Sequence, residues 1–171
     1  MKKRFILIVL FPALVLGYGY WHSKTHGSVN ITLKYGSEDQ ALSKAEVVFM
    51  DSKGSLLAEG RVDDRYDFVN LIHPKIGDCQ KFAKGPSTKE KRELWQECFE
   101  AQSTWIPKWI KKVRQLQVKH ETCVTKKIPI KITEYDSDWL LWWVPHPHIG
   151  GFPYAYFRAR VVIDKKDCIA M

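Results

Sequence analysis

The 171-residue sequence contains no nucleotide-binding loop, no cage of metal ligands and no nucleophile motif. Each absence removes a class of activity. Phosphate transfer lacks its glycine-rich cradle, structural zinc lacks any Cys-x-x-Cys pair or close Cys/His set, and acyl transfer lacks an activated serine or cysteine. Cysteine is scarce, and none of the four lies near the amino terminus, which excludes a lipid-modified leader. Charge of one sign is only modestly in excess. The formal net charge is +8, part of it from Lys2, Lys3 and Arg4, and the rest is not clustered with base-stacking aromatics, so nucleic acid is excluded as a partner. No cofactor and no metal is expected.

What is present begins with those three cations and the apolar run from Phe5 to Trp21 that follows them. A charged head before such a run stays on the cytoplasmic side while the run enters the membrane. The run matches the shortest span that crosses a bilayer, about 17 residues. Pro12 weakens it, and Gly17-Tyr18-Gly19 offers small residues for a cleavage site, so a cleaved signal peptide competes with an anchor. The aromatic end Tyr18, Tyr20 and Trp21 favours the anchor, because such rings prefer the membrane interface. The expected organisation is a signal-anchor over residues 1–21, a polar tether over 22–27 and one exported domain over 28–171. The expected location is the inner (cytoplasmic) membrane, single-pass, with the carboxy-terminal domain periplasmic or otherwise extracytoplasmic. Membrane lipid is then a partner through the amino-terminal helix.

The exported part opens with alternation. In Val29–Tyr35 apolar residues recur at every second position, which places them on one face of a strand that Gly36-Ser37-Glu38-Asp39 ends. A second strand runs Ala45 to Met50, Asp51-Ser52-Lys53-Gly54 turns it, and Leu56-Leu57-Ala58 starts the return. A further turn at Asp63-Asp64-Arg65 leads to a strand over Tyr66–Leu71. Four short strands so close together predict an antiparallel β-sandwich.

The succession Ala45-Glu46-Val47-Val48-Phe49-Met50-Asp51-Ser52-Lys53-Gly54, then Leu57-Ala58-Glu59-Gly60, then Asp63-Asp64-Arg65-Tyr66-Asp67-Phe68, resembles prealbumin-like sandwiches, the group that includes carboxypeptidase regulatory-like domains. The resemblance covers Val29 to Leu71. It implies a seven-stranded sandwich used for support or binding, with no catalytic residues to carry over. The expected fold class is mainly β, an Ig-like or prealbumin-like antiparallel sandwich with a helical insertion over 87–121 and one transmembrane helix.

The insertion announces itself after Gly85-Pro86, where Ser87 or Thr88 can cap a helix with Glu90 in support. Leu94, Trp95, Cys98, Ala101, Trp105, Ile106, Trp109, Ile110, Val113 and Leu116 recur at three- and four-residue steps. Pro107 predicts a kink, or two helices joined near Ser103-Thr104. Trp105 and Trp109 with Lys108, Lys111 and Lys112 could form a membrane-surface face. The preferred reading turns the tryptophans onto the sandwich, since an apolar helix face must be buried on its nearest partner.

All four cysteines, Cys79, Cys98, Cys123 and Cys168, lie in the exported part, and an even number in an oxidising compartment predicts two disulfides. Ile128-Pro129-Ile130-Lys131-Ile132 reads as an edge strand, and Ala155, Phe157, Ala159, Val161 and Ile163 form one face of the last strand. Paired as a hairpin, their apolar faces coincide when Ile128 meets Ile163, Ile130 meets Val161 and Ile132 meets Ala159. That register sets Cys123 opposite Cys168 and leaves Cys79 for Cys98.

The candidate binding site lies in the connection between those strands: Trp139, Trp142, Trp143, His146, His148, Phe152 and Tyr154. A long connection in a small domain is functional or packed on itself. Rigid aromatic anchors suit a protein partner, and flat aromatic faces beside Asp136 and Asp138 suit cell-wall carbohydrate. His146 and His148 could begin a metal site with Asp136, Asp138 or His73, or serve with the two aspartates in a small periplasmic hydrolase. The favoured expectation is a non-enzymatic, membrane-anchored extracytoplasmic binding or assembly protein that recognises a protein partner.

Overall fold

Alternation at the start of the domain becomes strand β1 (Gly27–Tyr35), with Ile31 and Leu33 fully buried on one face. The structure, a computed structural model, describes residues 14, 17, 18, 20–22, 24–36, 42–63, 68–83, 88–121, 123–135 and 155–170. β2 (Glu46–Met50) and β3 (Leu56–Val62) form the expected hairpin, and β4 (Val69–His73) and the short β5 (Gly77–Asp78) extend it. The β2–β3 turn is built from Asp51, whose Oδ1 accepts from the Lys53 and Ser55 amides at 2.8 and 2.9 Å, and from Gly54, whose φ of 83° suits only glycine without strain. The fourth strand starts later than its sequence pattern suggests, at Val69; residues 64–67 lie outside the described residues.

Two helices interrupt the strands, α1 (Gln80–Ala83) and α2 (Lys89–Trp109). Thr88 caps α2, its hydroxyl accepting from the Lys91 amide at 3.2 Å. The expected break near Ser103-Thr104 does not occur: α2 is continuous through Pro107 and closes two residues later in a 3-10 turn, Ile110–Lys112. The helical periodicity read through Leu116 also overruns. Gln115–His120 is strand β6, its buried Leu116 and Val118 two residues apart as a pleated strand requires.

After β6 come β7 (Cys123–Thr125), β8 (Ile128–Pro129), β9 (Thr133–Tyr135) and β10 (Ala155–Ile163), and a 3-10 turn, Lys165–Asp167, leads to β11 (Cys168–Ala170). They assemble into two sheets. The smaller is ordered β1-β10-β9; the larger, of eight strands, runs β11-β7-β6-β2-β3-β4-β5, with β8 beside β6. The fold is mainly β, and one core cluster receives side chains from both sheets, among them Ile31, Leu33, Phe157 and Val161 from one and Val47, Phe49, Leu116 and Val118 from the other. Each such side chain contributes about 1.5–3 kcal/mol of burial.

Two expectations need correction. The smaller sheet is not purely antiparallel, because β1 pairs with β10 in parallel along its whole length, Gly27 with Ala155 through Tyr35 with Ile163. The hairpin register is right but its length is not. Thr133, Glu134 and Tyr135 pair with Arg158, Phe157 and Tyr156, continuing the expected alignment, while Ile128-Pro129 crosses to the larger sheet and pairs with Leu116 and Gln115. β10 lies between β1, which runs along the whole of one edge, and β9, which pairs with Tyr156–Arg158 on the other.

Both expected disulfides form, Cys79–Cys98 and Cys123–Cys168, with Cα separations of 5.7 and 5.3 Å. The second arises by a different route from the register argument: β11 pairs with β7 in the larger sheet, Cys168 opposite Thr125. The first joins Cys79, between β5 and α1, to α2. Among the described residues no helix is long and apolar enough to cross a membrane, and residues 1–13 lie outside them.

Candidate functional site

The aromatic connection with Trp139, Trp142, Trp143, His146, His148, Phe152 and Tyr154 lies outside the described residues, as do Asp136 and Asp138. Its two anchorages are placed. Tyr135 ends β9 opposite Tyr156 of β10, their ring centroids 6.3 Å apart and both exposed. His73, the third imidazole considered for a metal site, is engaged elsewhere. Its ring stands edge-on to Trp105 at 5.1 Å, and its Nδ1 accepts from the Lys75 amide at 3.2 Å, which puts the proton of the neutral ring on Nε2. Burial, with the Lys75 and Lys108 charges nearby, holds this imidazole below its ordinary range. Among the described residues no group of three or more His, Cys, Asp or Glu side chains could hold a metal ion.

The Trp-and-lysine face separates into two populations. Trp109 is 5% exposed and packs on Phe49 at 5.7 Å, and Trp105 lies half-buried against Trp109 at 5.1 Å. Trp109 thus belongs to the core cluster, and Trp105 packs against it partly buried. Lys108, Lys111 and Lys112 remain exposed.

Toward its amino terminus α2 changes character. Ile106 and Trp109 are buried, whereas Leu94, Trp95 and Phe99, farther along the helix, are 39%, 40% and 36% exposed, with Trp95 and Phe99 stacked at 5.4 Å. The overhanging half is fastened by Cys98 to Cys79, and past the middle of the helix Gln102 Nε2 donates to the Leu71 carbonyl at 2.7 Å.

Within residues 22–27, expected to be a short polar tether, His22 and His26 are buried. The described residues between Leu14 and Thr25 are helical. His22 and His26, one helical turn apart, stack in parallel at 3.8 Å and are 5% and 6% exposed. His26 Nε2 donates to the Glu100 carboxylate at 2.9 Å, and Nδ1 lies 2.9 Å from the Thr25 hydroxyl. The next residue, Gly27, has no room for a side chain: a Cβ there would stand 2.9 Å from Phe157 Cε2 and 3.0 Å from Pro107 Cγ. The signal available in the sequence was the four-residue spacing of the histidines directly after an apolar helical run.

A second feature escaped the sequence reading because its parts are scattered along the chain. Ile110, Lys111, Val113, Arg114, Ile130, Lys131, Ile132, Glu134 and Phe157 enclose an open cleft of about 350 Å³. Its floor is apolar and its rim cationic. Lys111 is paired with Glu134 at 2.8 Å, and Arg114 Nη1 donates to the Lys111 and Val113 carbonyls at 2.9 and 2.7 Å. Compared with known protein families, characterised proteins and solved structures, the chain matches none.

Proposed function

We propose that the protein is a non-enzymatic, extracytoplasmic binding or assembly domain, held at the membrane by residues 1–21, that recognises a protein partner near the bilayer. The observation that carries this reading is the pairing of all four cysteines in two disulfides, the state expected of a domain that matures in an oxidising compartment. The packed junction supports it further. A helical segment that exposes Leu14, Tyr18, Tyr20 and Trp21 is fixed to α2 through His26 and Glu100, which suits a domain held close to a membrane interface rather than one at the end of a slack tether.

In this reading the partner contacts the aromatic segment Trp139–Tyr154, with the stacked Trp95 and Phe99 a second exposed aromatic surface. Binding energy concentrates in such side chains. A photoreactive phenylalanine analogue in place of Trp142, in the full chain in cells of its native host, tests the assignment. The expected result is one discrete cross-linked adduct, absent when Trp143 is also replaced by Ala. A full chain that is membrane-bound and oxidised but gives no adduct would refute the partner site.

A further inference from the structure

The cleft under the 3-10 turn Ile110–Lys112 brings together three cations from two parts of the chain, Lys111 and Arg114 from one and Lys131 from the other, around one carboxylate, Glu134. Its local balance is therefore +2. Lys111 is neutralised by Glu134; neither Arg114 nor Lys131 has a carboxylate within ion-pair distance among the described residues. The Arg114 guanidinium is held in place through Nη1 by two backbone carbonyls, so its remaining donors are presented in a fixed direction. A fixed guanidinium beside a mobile ammonium is the pairing that suits a phosphate diester. Beneath them lie Ile130 and Phe157, apolar and almost wholly buried, with Ile132 half-buried at the side.

The position of the cleft identifies the source of that phosphate. Phe157, part of its floor, is also the ring against which Gly27 closes, and the Ala155 amide donates to the His26 carbonyl at 2.9 Å. The cleft thus sits where the chain arrives from its apolar leader. We propose that it docks on the head groups of anionic phospholipid in the membrane that anchors the chain, the phosphate resting between Arg114 and Lys131 and the less polar glycerol region over Ile132. This rests on the reading of residues 1–21 as a membrane anchor and adds to it a second, charge-selective contact that sets the tilt of the domain on the bilayer.

The test uses the full chain, isotope-labelled, in neutral maltoside micelles. It is titrated with dihexanoyl phosphatidylglycerol and, separately, with dihexanoyl phosphatidylcholine, inorganic phosphate and a tetraglutamate peptide. Saturable amide shifts at Lys111, Lys131 and Ile132 are expected with phosphatidylglycerol, at least tenfold weaker with each of the others. Lys131→Glu, at an exposed position, should weaken phosphatidylglycerol binding at least tenfold, and Glu134→Gln, which removes the one opposing charge, should strengthen it about threefold. Equal response to phosphatidylcholine or tetraglutamate, saturation by inorganic phosphate alone, or an affinity unchanged by Lys131→Glu would overturn the assignment. Loss of the lipid effect with the Trp142 cross-link intact removes this cleft and leaves the proposed function standing; loss of the cross-link with the lipid effect intact does the reverse.

Discussion

The two halves of α2 follow opposite rules along one continuous helix. In the carboxy-terminal half, Ile106 and Trp109 with the following Ile110 are buried among Phe49 and its neighbours, and Pro107 closes on Gly27. In the amino-terminal half the large apolar side chains Leu94, Trp95 and Phe99 stand exposed, and the Cys98 disulfide ties the helix to Cys79. Packing holds the first half and covalent chemistry holds the second. A helix whose apolar residues outrun its own sheet needs such a fastening, because local propensity alone leaves an unpacked helix marginal.

The sharpest way to break that comparison is to truncate one tryptophan in each half. Trp109→Ala should cost about 3–5 kcal/mol, as large-to-small changes in a packed core do, whereas Trp95→Ala should cost less than about 1 kcal/mol. Urea unfolding of both variants measures the contrast, and equal losses would mean that the overhang is packed after all. Next in size is Cys79→Ser with Cys98→Ser. Opening a loop of this length costs about 3 kcal/mol in the chain-entropy account. Amide exchange should then accelerate in residues 89–98 well before 103–109, and uniform acceleration would show that α2 is held as one unit.

A smaller effect is expected at the junction. Gly27→Ala places a methyl group 2.9 Å from Phe157 and 3.0 Å from Pro107, and overpacking of this kind costs about 1–3 kcal/mol. The loss should appear in thermal unfolding, and an unchanged midpoint would show that α2 yields freely there. The smallest effect is a pH dependence at His73. Burial and the Lys75 and Lys108 charges hold its folded-state value below that of an ordinary imidazole, so the unfolded chain takes up the proton first as the solution is acidified. The contribution is complete above the unfolded value and is lost as pH falls toward the folded one. Between pH 7.5 and pH 5.5 the wild-type chain should therefore lose more stability than His73→Gln, and parallel losses would remove His73 as a source of acid sensitivity.

Much of the fold was legible where its information is local. Asp51-Ser52-Lys53-Gly54 specifies its own turn, Thr88 its own cap, and alternating apolar residues from Ala155 to Ile163 specify which face of β10 is buried. Alternation gives a strand its face and not its neighbour, so the parallel pairing of β1 with β10, across more than a hundred residues, carries no local mark. Leu116 fits a period of 3.6 when counted from Val113 and a period of 2 when counted to Val118, and only the open edge of β2 decides between them. Cys123 and Cys168 found each other although the expected strand pairing did not extend to them, because β7 and β11 meet in the other sheet. The candidate sites fared differently. The aromatic connection could be named from composition, whereas the cleft could not, since Lys131 lies far along the chain from Lys111 and Arg114. His22 and His26 were passed over as tether because a short polar stretch reads as solvent-exposed until a partner such as Glu100 is seen beside it.

The central claim is that the domain is exported, oxidised and held at the membrane. Protease treatment of intact spheroplasts carrying the full chain tests it most directly, with a carboxy-terminal tag followed on gels run with and without reductant after an alkaline wash of the membranes. The expected result is a membrane-retained chain whose tag is digested from outside and whose mobility shifts on reduction. A tag protected until the cells are lysed, on a soluble chain with four alkylatable thiols, would contradict it.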